Sequence, residues 1–263
     1  MRVVWLDGRI VPAQQACLGI DDPGVRWGEG LFETMRAEGG RVALLDWHLD
    51  RIAASAAALG LDPVPSRDAI AEAVGTVALA LAPGSGRVRL TVTPRPTLLV
   101  EGTPEPPLDR APAPVRAVSV RGAWLPGAPL AEHKTLSYAG FRRAQRTADR
   151  AGVDHALLLD AAGRLGEAAT AAAFCAVDGE LVCAPVSGLL PGIGRALVLG
   201  GLGAREEALS EDAWRGADEI VLANALRGAM AVVEVDGAPV GDGAPGLLAR
   251  AAHALLRDAL RSR

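Results

Sequence analysis

Lys134, in the stretch HKTLSYA (133–139), is the only lysine of the chain; the other 26 of its 27 basic residues are arginine. Tyr138, four positions on, is the only tyrosine. Lysine and arginine serve alike as solvated charges but not as nucleophiles. A guanidinium stays protonated in a protein, whereas burial or a neighbouring charge tunes an amine downward. Only the amine condenses with a carbonyl to a Schiff base. A chain this biased to arginine keeps a lysine where amine chemistry is required, or keeps one by chance. If the segment is helical, Tyr138 falls beside Lys134. Its phenol could then hydrogen-bond an oxygen on a cofactor ring; otherwise it is a core aromatic.

Other chemistries find little support. Cys17, Cys175 and Cys183 form no C-x-x-C pair and are odd in number, so neither a disulfide framework nor a zinc site is expected. They read as reduced, mostly buried thiols. His133, His155 and His253 lack metal-ligand spacing and read as structural or surface residues. No metal is expected. The formal charge of −4 and the scarcity of aromatics argue against a nucleic-acid partner. No apolar run reaches the roughly 18 residues of a membrane span, so no membrane partner is expected. The N-terminal MRVVWLDGRI has no apolar signal core, so the expected location is cytoplasmic.

Positioning these residues takes strands and helices in alternation. Hairpins are read at Val3–Leu6 with Ile10–Val11, and at Leu31–Ala37 with Val42–Leu44. Two more are His155–Leu159 with Leu165–Ala168, and Ala172–Val177 with Leu181–Cys183. Val88–Thr93 alternates like a strand, with Leu98–Val100 as its partner. Helices are expected at 45–59, at 67–81 behind the N-cap Ser66, at 137–151 and at 245–260. Pro and Gly concentrate between residues 102 and 130, around a strand at Val115–Val120. The expected organisation is an N-terminal α+β domain over 1–120, a connection over 121–130 and a C-terminal α/β domain over 131–263.

The chain resembles the class IV aminotransferase family, the fold-type IV pyridoxal 5′-phosphate (PLP) enzymes. The resemblance rests on six segments in order: DDPGVRWGEGLFETMR (21–36), LLDWHLDRI (44–52), HKTLSYA, DHALLLDAAGRLGEAAT (154–170), GLLPGIGR (188–195) and EIVLANALRGAMAVVEVDG (219–237). It implies an α+β, two-domain fold like that of D-amino-acid aminotransferase. It also implies PLP in the interdomain cleft, bound by the C-terminal domain, and a homodimer. Lys134 would then hold PLP and move the substrate's proton. Glu167 would keep the pyridine nitrogen protonated, and Tyr138 would meet the ring oxygen. Arg51, in the H-x-x-R of His48 to Arg51, would bind phosphate by its fork. The amides of Ile193 and Gly194 at a helix start would face the same phosphate. Leu190 would pack on the ring, and Asn224 with Ala225 would form a second phosphate turn.

The chain departs from the family pattern in places. Gly194 stands where threonine is common, and Ala225 near a usual serine or threonine. The run after Glu167 is EAATAAAF (167–174), leaving Thr170 as its one hydroxyl. Each hydroxyl lost from a charged phosphate removes roughly 1.5–3 kcal/mol. Asn-Ala-Leu in VLANALRG and the stretch HKTLSYA resemble aminodeoxychorismate lyases. That implies conversion of 4-amino-4-deoxychorismate to 4-aminobenzoate and pyruvate, a step of folate biosynthesis, with Thr34 aiding the proton traffic. Arg89 and Arg95, in RVRLTVTPR with Arg87, are candidates to meet a substrate carboxylate. Two alternatives stay open: an aminotransferase acting on branched-chain or D-amino acids with a 2-oxo acid acceptor, and a non-catalytic homologue that has lost PLP.

Overall fold

The computed structural model describes residues 2–261. The chain forms two compact units. Among the described residues the first comprises 2–107, His133–Tyr138 and 259–261; the second comprises Leu108–Glu132 and Ala139–Asp258.

The first unit carries β1 (Val3–Leu6), β2 (Arg9–Val11), α1 (Pro23–Arg26), β3 (Leu31–Glu38), β4 (Arg41–Val42), α2 (Leu45–Leu59), α3 (Arg67–Leu79), β5 (Ser85–Val92) and β6 (Leu98–Pro104). Six strands make one antiparallel sheet in the order β2-β1-β6-β5-β3-β4. Strand alternation puts Leu31, Met35 and Ala37 on one face. There they bury against Leu49, Ile52 and Ala56 of α2 and Val74 and Val77 of α3. Ser66 caps α3 by accepting from Ala69 N, 3.2 Å away. Phe32 and Thr34 alternate to the opposite face of β3. Leu44, expected to end a strand, instead has a left-handed φ of 54° and turns the chain into α2.

The second unit carries β7 (Ala113–Arg121), α4 (Ala139–Ala151), β8 (His155–Leu159), β9 (Leu165–Ala168), β10 (Ala171–Val177), β11 (Glu180–Cys183), α5 (Ile193–Leu202), β12 (Arg205–Glu206), α6 (Glu211–Arg215), β13 (Ile220–Asn224), β14 (Gly228–Val235), β15 (Ala238–Pro239) and α7 (Leu247–Arg261). Its nine-stranded sheet runs β12-β11-β10-β13-β14-β7-β8-β9 with β15 paired to β14 beside that path, and β9 also pairs with β10, so the strand path closes on itself. Three hairpins turn on Asp-Gly pairs at 7–8, 178–179 and 236–237, with positive φ at both residues. That backbone matches the twist of paired strands.

Two expected boundaries move. Residues 108–120 fall in the second unit because β7 pairs with β8 and β14. Residues 133–138, expected in the C-terminal domain, fall in the first because they pair along β3. Tight turns hold them out of a helix, Thr135 N donating to His133 O at 3.0 Å and Tyr138 N to Leu136 O at 2.7 Å, and the helix expected from Ser137 begins at Ala139. Cys17 is exposed, whereas Cys175 and Cys183 are buried. Among the described residues no helix is long and apolar enough to cross a membrane, and no cluster of acids, histidines or cysteines has the makings of a metal site.

Candidate active site

Within the first unit the Lys134 segment adds to the edge of β3. Phe32 N donates to Lys134 O and Leu136 N to Gly30 O, both at 2.9 Å, and Leu31 bridges Thr135. The side chains of His133 and Lys134 part in this segment. His133 reaches α2, where Nδ1 lies 3.1 Å from Ser55 Oγ. Lys134 goes the other way, its Nζ 4.3 Å from the centroid of the Phe32 ring. Tyr138 meets Phe32 edge to face at 5.2 Å, and its own ring centroid is 5.9 Å from Lys134 Nζ. The expected proximity of Tyr138 to Lys134 therefore comes through Phe32 and not through a helical turn.

Phe32 carries a second cation. Arg89 Cζ lies 3.9 Å over its ring. Arg89 stands opposite Thr34 in the β3–β5 register and opposite Glu101 in β5–β6. Burial lowers its pKa against the raising influence of Glu101, and it stays protonated. Among the described residues no carboxylate forms an ion pair with it, since Glu101 pairs with Arg2. Arg95 is placed differently: it sits in an exposed loop and is ion-paired with Asp21. Buried Asp22 ties that loop down, accepting from Thr93 Oγ1 and Thr97 Oγ1 at 2.9 Å each.

On the helix-facing side of β3 lies a charged cluster. Arg51 Nε and Nη2 clasp the two oxygens of Glu33 at 2.8 and 2.6 Å. His48 Nδ1 lies 2.8 Å from Glu33 Oε2. Glu33 and His48 are each 1% exposed. Burial alone would raise the Glu33 pKa, but the His48 hydrogen bond and the Arg51 charge outweigh it and hold it at about 2. Burial likewise lowers His48, opposed by Glu33 and aided by the Arg51 and Lys134 charges. His48 Nε2 is buried with no hydrogen-bond partner. Glu33 was not among the residues expected at the site, and His48 entered only as the first residue of the H-x-x-R that ends at Arg51. The signal was an acid among the apolar residues of a strand, LFETM, together with a histidine one helical turn before Arg51.

The second unit supplies the remaining expected residues. Glu167, in the middle of β9, is paired in register with Leu158 and Ala172 and is 8% exposed, so it is no strand-end surface charge. Leu190 lies in the loop entering α5, whose first turn holds Ile193 and Gly194. The first N–H groups of a helix have no partner within it, so they and the helix dipole favour an anion. Asn224 closes the β13–β14 turn: its Oδ1 accepts from Leu226 N at 3.0 Å and Arg227 N at 2.8 Å, and its Nδ2 donates to Thr170 O at 3.3 Å. Ala225 is buried at the tip. The two turns abut. A Cβ on Gly194 would lie 2.9 Å from Asn224 Cα and 3.0 Å from its N. Glycine at 194 is thus demanded by a close backbone approach, and a threonine there has no room.

Comparison with known proteins gives one consistent picture. The family described as amino-transferase class IV matches residues 30–235. A putative branched-chain-amino-acid aminotransferase of Methanocaldococcus jannaschii is 30% identical over 89% of this chain and 88% of its own length. The branched-chain aminotransferase of Thermoproteus uzoniensis, solved with norvaline, superposes with a TM-score of 0.82 at 26% identity, covering 97% of this chain and 93% of that one. Aminodeoxychorismate lyase of Bacillus subtilis is 30% identical over a shorter stretch, 35% of this chain and 32% of its own.

Proposed function

Because the chain belongs to the class IV aminotransferase family, whose members are PLP enzymes, we propose that it takes a proton from the amine-bearing carbon of a carboxylate substrate, 4-amino-4-deoxychorismate, and releases 4-aminobenzoate and pyruvate. The observation that carries this reading is the pair of cations sharing the Phe32 ring, an amine, Lys134, and a guanidinium, Arg89. One suits the substrate's reacting carbon and the other its carboxylate.

The residues present fit PLP. The α5 start against the Asn224 turn and the one lysine of the chain each match part of such a ligand. When bound, PLP supplies an electron sink for the electron pair left as the proton departs. Lys134 holds the cofactor and then carries the substrate's proton. Glu167 keeps the ring nitrogen protonated from a buried strand position, and the Tyr138 hydroxyl serves the ring oxygen. The Ile193 and Gly194 amides, with Asn224 and Ala225 beside them, take the phosphate, and Leu190 packs on the ring. Arg51 lends charge to the phosphate while Glu33 fixes its fork. Thr34, on the Phe32 face of β3, supports proton movement. Arg89 orients the carboxylate, and aromatisation of the product drives release of pyruvate.

The Asn-Ala-Leu of the β13–β14 turn, which resembles aminodeoxychorismate lyases, supports the lyase reading. Asn224 Oδ1 fills its own turn, accepting from the Leu226 and Arg227 N–H groups. A second reading, transamination between an amino acid and a 2-oxo acid, is favoured by the Methanocaldococcus relative spanning most of the chain. One assay separates them. PLP-loaded protein given 4-amino-4-deoxychorismate alone should yield 4-aminobenzoate and pyruvate in equal amounts. Turnover only with an amino donor plus 2-oxoglutarate or pyruvate would establish the transaminase instead.

A further inference from the structure

Gly188 is gripped on both sides of its backbone by side chains of one connector in the second unit. Trp124 Nε1 donates to its carbonyl at 3.1 Å. Its own N–H donates to Glu132 Oε1 at 2.9 Å. Gly188 has a φ of +70°, and a Cβ there would lie 2.5 Å from Gly127 N and 2.9 Å from Leu125 O, so the connector backbone lies directly on it. The same indole covers Gly166, where a Cβ would come within 2.6 Å of Trp124 Cδ2. Gly166 precedes Glu167, and Gly188 lies midway along the loop 184–192 from β11 to α5, at the head of its last stretch, 188–192. A Gly- and Pro-containing surface loop would otherwise lose much conformational entropy on ordering. The carboxylate bond to Gly188 N–H is charge-assisted and so stronger than a neutral one.

We propose that Glu132 and Trp124 are positioning residues for loop 188–192: by fixing Gly188 they set how the loop enters α5, and so where the first α5 N–H groups point. The inference rests on the reading that those amides take the cofactor's phosphate. Neither side chain touches the phosphate itself.

The test titrates full-length protein, by visible absorbance, with PLP and with pyridoxal, which carries the same aldehyde but no phosphate. The expected result is that Glu132→Ala and Trp124→Phe each weaken PLP binding about tenfold and leave pyridoxal affinity unchanged. Glu132→Gln, which keeps an acceptor, should recover most of the loss. Equal losses for both aldehydes, or no loss for either, would overturn the positioning role. Should Glu132→Ala fail to fold, Trp124→Phe decides by the same ratio, because it keeps a ring against Gly166. Wild-type protein binding both aldehydes equally would sink the phosphate reading and this proposal with it. A wild-type preference retained in both variants would sink the positioning role alone.

Discussion

The proposed chemistry turns on Lys134, and its uniqueness in the chain makes the test clean. Borohydride reduction of the PLP-loaded protein should place the phosphopyridoxyl group on Lys134 and on no other residue, read by peptide mass spectrometry. Lys134→Arg keeps the charge near Phe32 but cannot form the adduct. It should abolish the visible band and slow turnover at least a thousandfold, the upper range for losing a positioned proton carrier. Arg89 and Arg95 should part company. Arg89→Gln should raise KM for a carboxylate substrate by about tenfold or more while leaving the PLP spectrum intact. Arg95→Gln should leave KM near wild type, since Arg95 is committed to Asp21 on an exposed loop.

At the scale of elements, close approach decides what side chains the site tolerates. Gly194 looks in sequence like a lost hydroxyl, yet the α5 start lies so near the Asn224 backbone that a side chain cannot enter. Gly194→Thr should therefore not improve PLP affinity. It should destabilise the protein by roughly 1–3 kcal/mol in urea unfolding, the usual cost of overpacking. The start of α7 depends on a distant acid. Glu219, just before β13, accepts from Leu248 N at 3.0 Å and Ala249 N at 2.8 Å. Its loss leaves helix donors unsatisfied and removes a charge that suits the dipole. Glu219→Ala should cost about 1–2 kcal/mol by the same measurement.

For the whole molecule the sensitive variable is acid, and both units contribute. His48 in the first and His155 in the second are buried with lowered pKa values; desolvation is the main cause for each. Neither ring nitrogen of His155 has a hydrogen-bond partner. Below the unfolded value of 6.5 the unfolded chain takes protons that the folded chain refuses, so stability falls as pH falls. Glu33 adds the same sign lower down, its stabilisation present above 4.5 and lost as pH drops towards about 2. Urea midpoints measured from pH 8 to pH 3 should trace both losses. His155→Leu should flatten the limb just below pH 6.5. Glu33→Gln should flatten the limb below 4.5, while costing roughly 3 kcal/mol at neutral pH because Arg51 and His48 lose a buried partner.

The amino-acid sequence by itself determined the local elements, because hydrophobic periodicity, Asp-Gly turns and caps act over a few residues. The helix at 45–59 has the expected bounds, and Ser66 caps α3 as expected. The family and its cofactor were legible too, since Lys134, Glu167 and the Gly-Pro run before Ile193 keep their order along the chain. What only the tertiary structure decided are contacts between residues far apart in sequence. Strand pairing, not composition, moved β7 into the second unit and the Lys134 segment onto the edge of β3. Glu33 became the partner of Arg51, and Gly194 a steric necessity, only when a strand and a turn came within hydrogen-bond and van der Waals reach. Those forces act over a few ångströms of space, and the residues that feel them are separated by 18 and by 30 positions of chain.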